Sequence, residues 1–158
     1  MTDTHAQTVH DVVVVGVDGS EPSKNALRWA LFVARAMQAH VEAVIVWHPY
    51  VAMGWQGMGG SAIGNFDPES TARHVLGETV DAVFGNDRPA DLTLTVTEGG
   101  AAGVLLDASK DARMLVVGSR GHGGFAGLLL GSVSGACSEH AKCPVLVIHG
   151  DTPAPLPA

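Results

Sequence analysis

The chain is predicted to fold as an α/β domain, an open doubly wound parallel sheet of five strands with helices on both faces. Three observations lead there. Short β-branched runs alternate along the 158 residues with longer segments whose apolar positions recur every three or four residues, the pattern of β-α repeats joined by right-handed crossovers. The composition is 46% hydrophobic but only 5% aromatic, which suits a core of Val, Leu and Ala between buried parallel strands. No period of about 20–50 residues recurs, so the alternation is not a solenoid.

Residues 1–10 lack periodicity and are expected to form a disordered arm ahead of one domain over 11–150. Residues 12–17 read as a strand buried on both faces. Asp18-Gly19-Ser20 turns the chain, and Ser20 caps a helix with Pro22 in its first turn. Ala26, Leu27, Ala30, Leu31, Val33, Ala34 and Met37 carry that helix to about residue 39. Residues 41–47 are the second strand, stopped by Pro49. Residues 49–66 hold no clear element, and their glycine-rich part, 54–64, is expected to be a mobile flap. Asp67-Pro68-Glu69 starts a second helix with Asp67 as N-cap and Ala72, Val75, Leu76, Thr79, Val80 and Val83 on its apolar face. Residues 92–96 alternate as a third strand, and Glu98-Gly99-Gly100 turns into a short helix over 101–110. A fourth strand (113–117), a fourth helix (131–141) and a fifth strand (144–149) follow. The tail, 151–158, holds three prolines and is expected to be flexible.

Charge narrows the function classes. The formal net charge of −7 argues against a nucleic-acid or anionic-membrane binder, which needs a basic face. No apolar run approaches the roughly 18 residues of a membrane helix. The N-terminal residues are polar and acidic, unlike a secretion signal, and the two cysteines make no disulfide framework, so a cytoplasmic location is expected.

The chemistry concentrates after the fourth strand. Met114-Leu115-Val116-Val117 breaks into Gly118-Ser119-Arg120-Gly121-His122-Gly123-Gly124, and Gly131-Ser132-Val133-Ser134 opens the next helix. A buried strand feeding a glycine loop and a helix N-terminus is an anion site: free N–H groups converge there and the helix dipole favours negative charge. Ser132 and Ser134 add hydroxyl donors, and Arg120 adds charge. In open sheets of this class ligands bind beyond the carboxyl ends of the strands, where strand order reverses. If the first and fourth strands are neighbours there, Asp18 and the Gly118 loop face one crevice.

These residues carry a family resemblance. Val17-Asp18-Gly19-Ser20, the spacing Gly118-x2-Gly121-x9-Gly131-Ser132, and Cys143-Pro144-Val145-Leu146-Val147 together resemble a single-domain universal stress protein of the ATP-binding branch, over about residues 11–149. The resemblance implies the sheet order 3-2-1-4-5, Rossmann-like and shared with the adenine nucleotide alpha hydrolase-like folds. It implies ATP as ligand, with Mg2+ as its candidate companion. Asp18 would hydrogen-bond the nucleotide or hold its metal. Gly118 and Gly121 would let the loop approach ribose and phosphates, with Arg120 and His122 along the phosphate path. Gly131, Ser132, Val133 and Ser134 would offer N–H and hydroxyl groups to the terminal phosphates. The adenine wall would come from the end of the second strand, Val46 and Trp47 to His48. In the implied order the fifth strand lies at an edge, apolar and without a later segment to cover it, so a homodimer through that strand is expected. A P-loop ending in Gly-Lys-Ser/Thr is absent, and no acid or base is placed to orient water. The expected role is therefore nucleotide-dependent stress signalling with ATP held as a ligand, hydrolysed slowly at most.

Other readings compete. The glycine loop alone also fits a plain surface connection, Asp18 a turn former, and Ser132 a helix cap. Cys137, His140 and Cys143 look like metal ligands, but at spacing three they spread around a helix, and Cys fits better as a small buried hydrophobe. A serine hydrolase would need a Gly-x-Ser-x-Gly elbow, which is absent. Gly121-x-Gly123-x-x-Ala126 nominally matches a dinucleotide fingerprint but follows the fourth strand without the acidic partner. A flavin carrier shares the topology, and a family-fold protein without nucleotide binding remains as the last alternative.

Overall fold

Valines at 12–15 and 17 make β1 (His10–Val17) apolar on both faces, and the rest of the chain packs around it. The computed structural model describes residues 10–49, 67–120, 130–150 and 152–155. After β1 come α1 (Glu21–Met37), β2 (His40–Trp47), α2 (Pro68–Phe84), β3 (Leu92–Glu98), α3 (Ala101–Ala108), β4 (Ala112–Gly118), α4 (Ser132–His140) and β5 (Val145–Ile148). All the strand pairings are parallel and the order is β3-β2-β1-β4-β5, as expected. β1 is central, in register with Val41 to Ile45 of β2 on one side and with Met114 to Val116 of β4 on the other.

The period-two alternation of β1 sorts the helices into two layers. Val13, Val15 and Val17 face Ala26, Leu27, Ala30 and Ala34 of α1 and Ala72, Leu76 and Val80 of α2. Val12 and Val14 face the opposite way, toward Leu105 of α3 and Cys137 of α4. The helix starts form where the caps were read: the Ser20 side chain accepts from the Ser23 N–H at 3.4 Å, and Asp67 from the Glu69 N–H at 3.1 Å. Among the described residues no helix is long and apolar enough to cross a membrane.

Several boundaries differ from the sequence reading, each for a local reason. β1 begins at His10, whose N–H bonds the Asp111 carbonyl at 2.8 Å, so the ladder takes in the last residue of the expected arm. β3 runs two residues beyond 96 because its alternation continues until Gly99, at φ +145°, breaks it. α3 stops at Ala108, since Ser109 and Lys110 close a turn instead. The start of the tail is also held, contrary to the expectation of a loose end: the Thr152 carbonyl accepts from Asn25 Nδ2 and, at 3.0 Å, from Trp29 Nε1. The glycine-rich stretch 54–64 lies outside the described residues.

Leu27 is fully buried between α1 and β1, whereas Leu94 is half-buried on the edge strand β3. Leu27→Ala should cost about 2–5 kcal/mol, the transfer term plus the cavity, and Leu94→Ala should cost less. Urea unfolding of the two variants checks the ranking.

Candidate functional site

The chain crosses from β3 to β4 over β2 and β1, so strand order reverses between β1 and β4. Their carboxyl ends open one crevice there. Val17 of β1 pairs with Ile45 of β2, and Val15 with Val116 of β4. One or two residues farther along, Asp18, Val46 and Gly118 end three adjacent strands. Asp18 and the Gly118 loop thus share one end of the sheet, as the sequence reading required.

Asp18 is half-buried and has a defined local task. Its Oδ1 accepts from the Ser20 N–H at 2.9 Å and from the Ser20 hydroxyl, while its own N–H donates to Ser23 Oγ at 3.3 Å. This side-chain turn lets β1 enter α1. Gly19 sits inside it at φ +83°, where an added Cβ would lie 2.7 Å from Val75 Cγ1 of α2.

Gly118 ends β4 against the start of α1. A Cβ on Gly118 would stand 3.1 Å from Pro22 Cβ and 3.2 Å from its carbonyl carbon, so the missing side chain admits α1. Ser119 is buried, and its N–H donates to the Ile148 carbonyl of β5 at 2.8 Å. Its carbonyl accepts twice, from the Gly131 N–H at 2.7 Å and from Ser134 Oγ at 2.9 Å. Those two bonds fasten the start of α4 to the end of β4. The sequence reading did not foresee this role for Ser119; its only signal is a small residue between Gly118 and the loop.

The same bonds change the donor list. The N–H of Gly131 and the buried hydroxyl of Ser134, both expected to reach a phosphate, are engaged by Ser119. Gly131 has φ −69° and ψ 169°, ordinary extended backbone, so no left-handed conformation requires glycine there. A Cβ on Gly131 would meet Ser119 O at 3.5 Å and Arg120 Cα at 3.6 Å, normal contacts. What remains at this end of α4 is its first turn. The N–H groups of Ser132, Val133 and Ser134 have no intrahelical acceptor, and the N-cap, Gly131, has no side chain to bond them. Ser132 is exposed and Val133 packs into the α3/α4 layer. Arg120 is exposed beside them. Gly121 and His122 lie outside the described residues.

At the other side of the crevice Val46 and Trp47 end β2, both half-buried. They point to opposite faces: Trp47 packs on the α1/α2 layer and Val46 on the α3/α4 layer. A single wall made of both side chains is therefore excluded by the pleat.

Among the described residues no three of His, Cys, Asp and Glu gather as metal ligands. Cys143 lies beyond the end of α4, and burial pushes the Cys137 thiol up, as expected of a protonated core side chain.

This fold and motif can be set beside known proteins. The model of the universal stress protein family matches residues 10–149. The chain belongs to the universal stress protein family. It is 34% identical over 147 residues to a universal stress protein of Mycolicibacterium smegmatis, an alignment covering 90% of this chain and 49% of that protein. The chain spans about half the length of the curated relatives it matches. Universal stress protein UspA from Lactobacillus plantarum superposes with a TM-score of 0.66 at 20% identity, covering 87% of this chain and 96% of that one. A universal stress protein solved in complex with cAMP superposes at 0.61 with 26% identity, covering 89% and 98%.

In this universal stress protein the two motif glycines should separate. Gly118→Ala presses a methyl group on Pro22 backbone and should cost about 1–3 kcal/mol. Gly131→Ala should cost no more than about 1 kcal/mol, the weaker N-cap preference of alanine. Thermal unfolding of the ligand-free variants checks this.

Proposed function

We propose that the protein binds ATP in the crevice between β1 and β4, with the phosphates on the first turn of α4 and ATP held as a ligand rather than rapidly turned over. One observation carries the reading. The N-cap of α4 is Gly131, which has no side chain to cap the helix, and the helix start is fastened at the crevice by the Ser119 carbonyl. Three main-chain N–H groups and the exposed Ser132 hydroxyl are fixed there in advance, with the positive end of the helix dipole behind them. The glycine spacing of the family's ATP-binding branch and the cAMP-bound relative support an adenine nucleotide. Arg120 supplies a positive charge next to this turn, and Gly121 and His122 remain proposed members of the loop. For the base, Val46 on one face and Trp47 on the other leave one of the two to line the adenine.

Mg2+ fits in a restricted way. Asp18 offers one carboxylate, whose Oδ1 already accepts two hydrogen bonds from Ser20. That donor set suits an ion brought by phosphates and completed by a carboxylate and water, not one held by the protein alone. Bound Mg2+ would neutralise phosphate charge; Asp18 would orient it from the end of β1. The role proposed is a cytoplasmic, nucleotide-dependent stress signal read by a protein partner. A second reading, the same fold without nucleotide, draws on Gly118 and Asp18, since each already has a packing or turn role.

Calorimetry separates the two readings. Gly131→Ala, which the fold tolerates, should weaken ATP at least tenfold, about 1.4 kcal/mol, because its methyl group sits between Arg120 and the α4 start. Ser132→Ala should weaken it less, and Ser134→Ala should act through stability. Absence of ATP binding by the unaltered protein establishes the second reading.

We further propose a homodimer through β5. Val145-Leu146-Val147-Ile148 is an edge strand without charge, and the described part of the tail bonds to α1 through Thr152. Two-fold pairing of such edges is antiparallel. Light scattering should give twice the 16.3 kDa chain mass, and Val147→Lys should give the monomer. A monomeric mass for the unaltered protein discards the dimer.

A further inference from the structure

The side chains of Asn25 and Trp29 stand four residues apart on α1, hence on one side of the helix. Both donate to a single acceptor, the carbonyl of Thr152, although more than a hundred residues separate them from it. Asn25 is buried, and its amide is satisfied by this carbonyl. Trp29 is braced edge-on by the exposed Phe32, ring centroids 5.8 Å apart at 87°. The segment that supplies the carbonyl is shaped for the seat. Gly150 turns at φ +50°, and Thr152 bonds back to the His149 carbonyl through its N–H at 3.2 Å and its hydroxyl at 2.7 Å. Thr152 precedes Pro153, which holds it to extended backbone. Pro153 and Pro155 bring carbonyl acceptors and no N–H donors, which suits the two donors that α1 turns toward this segment.

The seat also closes a ring with the crevice. Pro22, three residues before Asn25, abuts Gly118. Ser119 follows and bonds Ile148 at the end of β5, and the tail leaves from there to return to Asn25. Gly118 and Ser119, which frame the start of α4, thus touch the elements at the two ends of the strap, α1 and β5.

We propose that Asn25 and Trp29 form a carbonyl seat that straps segment 152–155 of the same chain onto α1, and that seating of the strap and filling of the crevice favour each other. The second half rests on the ATP reading above; the first does not. Coupling between two sites is reciprocal, so each half has its own readout in the full chain. Trp29→Phe keeps the ring and removes one donor; Asn25→Ser shortens the other. Without nucleotide, amide exchange at Thr152 and Ala154 should quicken about tenfold or more in both variants. Unchanged exchange in variants that keep the wild-type thermal transition overturns the seat. With ATP and Mg2+, exchange at Thr152 in the unaltered chain should slow, and ATP should bind both variants about fivefold more weakly or worse. Equal affinity overturns the coupling. If the unaltered chain binds no ATP, the coupling falls with the nucleotide reading, and the exchange rates still decide the seat.

Discussion

The carbonyl of Ser119 accepts from the Gly131 N–H at 2.7 Å and from the Ser134 hydroxyl at 2.9 Å, and through those bonds it sets where α4 begins. Its own N–H extends the ladder to Ile148, so β5 is placed by the same residue. One position earlier, the bare Cα of Gly118 lets Pro22 and the start of α1 close in. Two consecutive residues therefore position two helices and a strand. A buried hydroxyl and a buried carbonyl must find partners, and here they find each other across the loop that the helix start must face.

That arrangement decides what kind of anion seat this end of the sheet can be. The protein carries a net charge of −7, so long-range attraction for a nucleotide is poor. Main-chain amides and a helix dipole act at short range and carry no formal charge, so the proposed site does not depend on the overall field. Asp18 at the end of β1 would repel an approaching phosphate across any short gap. It is compatible with the proposed ligand as an acceptor for sugar hydroxyls, or with a cation between it and the phosphates. Its turn with Ser20 holds the carboxylate in place either way.

Much of the fold was legible because it is local or periodic. Four consecutive valines in β1, the caps Ser20 and Asp67, and the apolar stripe of α1 all state their structure in a few residues. The sheet order and the meaning of the glycine spacing came from resemblance, and the observed order agrees. The site was legible as a place and less so as a donor list. Nothing in the sequence tells that Ser134 turns inward while Ser132 faces solvent, because that depends on a carbonyl fifteen positions away. Gly118 and Gly131 look alike in a motif, yet one makes room for a helix and the other has ordinary backbone geometry. The tail looked loose because prolines rarely join regular elements; its seat depends on donors presented by α1.

The two edges of the sheet are managed differently, and the difference bears on assembly. β3 is seven residues long, with Thr93, Thr95 and Thr97 on one face, and Thr95 bonds Glu42 of β2 at 2.7 Å. β5 has four residues, all aliphatic, and its continuation turns away at Gly150 onto α1. Among the described residues the tail leaves this apolar edge for α1, which is why the self-pairing proposed above is drawn on β5 and not on β3. β5 is also the strand bonded to Ser119 and the one from which the strap departs. On these readings a partner on β5, the strap on α1 and a nucleotide at α4 would all act on the position of the same two residues, Gly118 and Ser119.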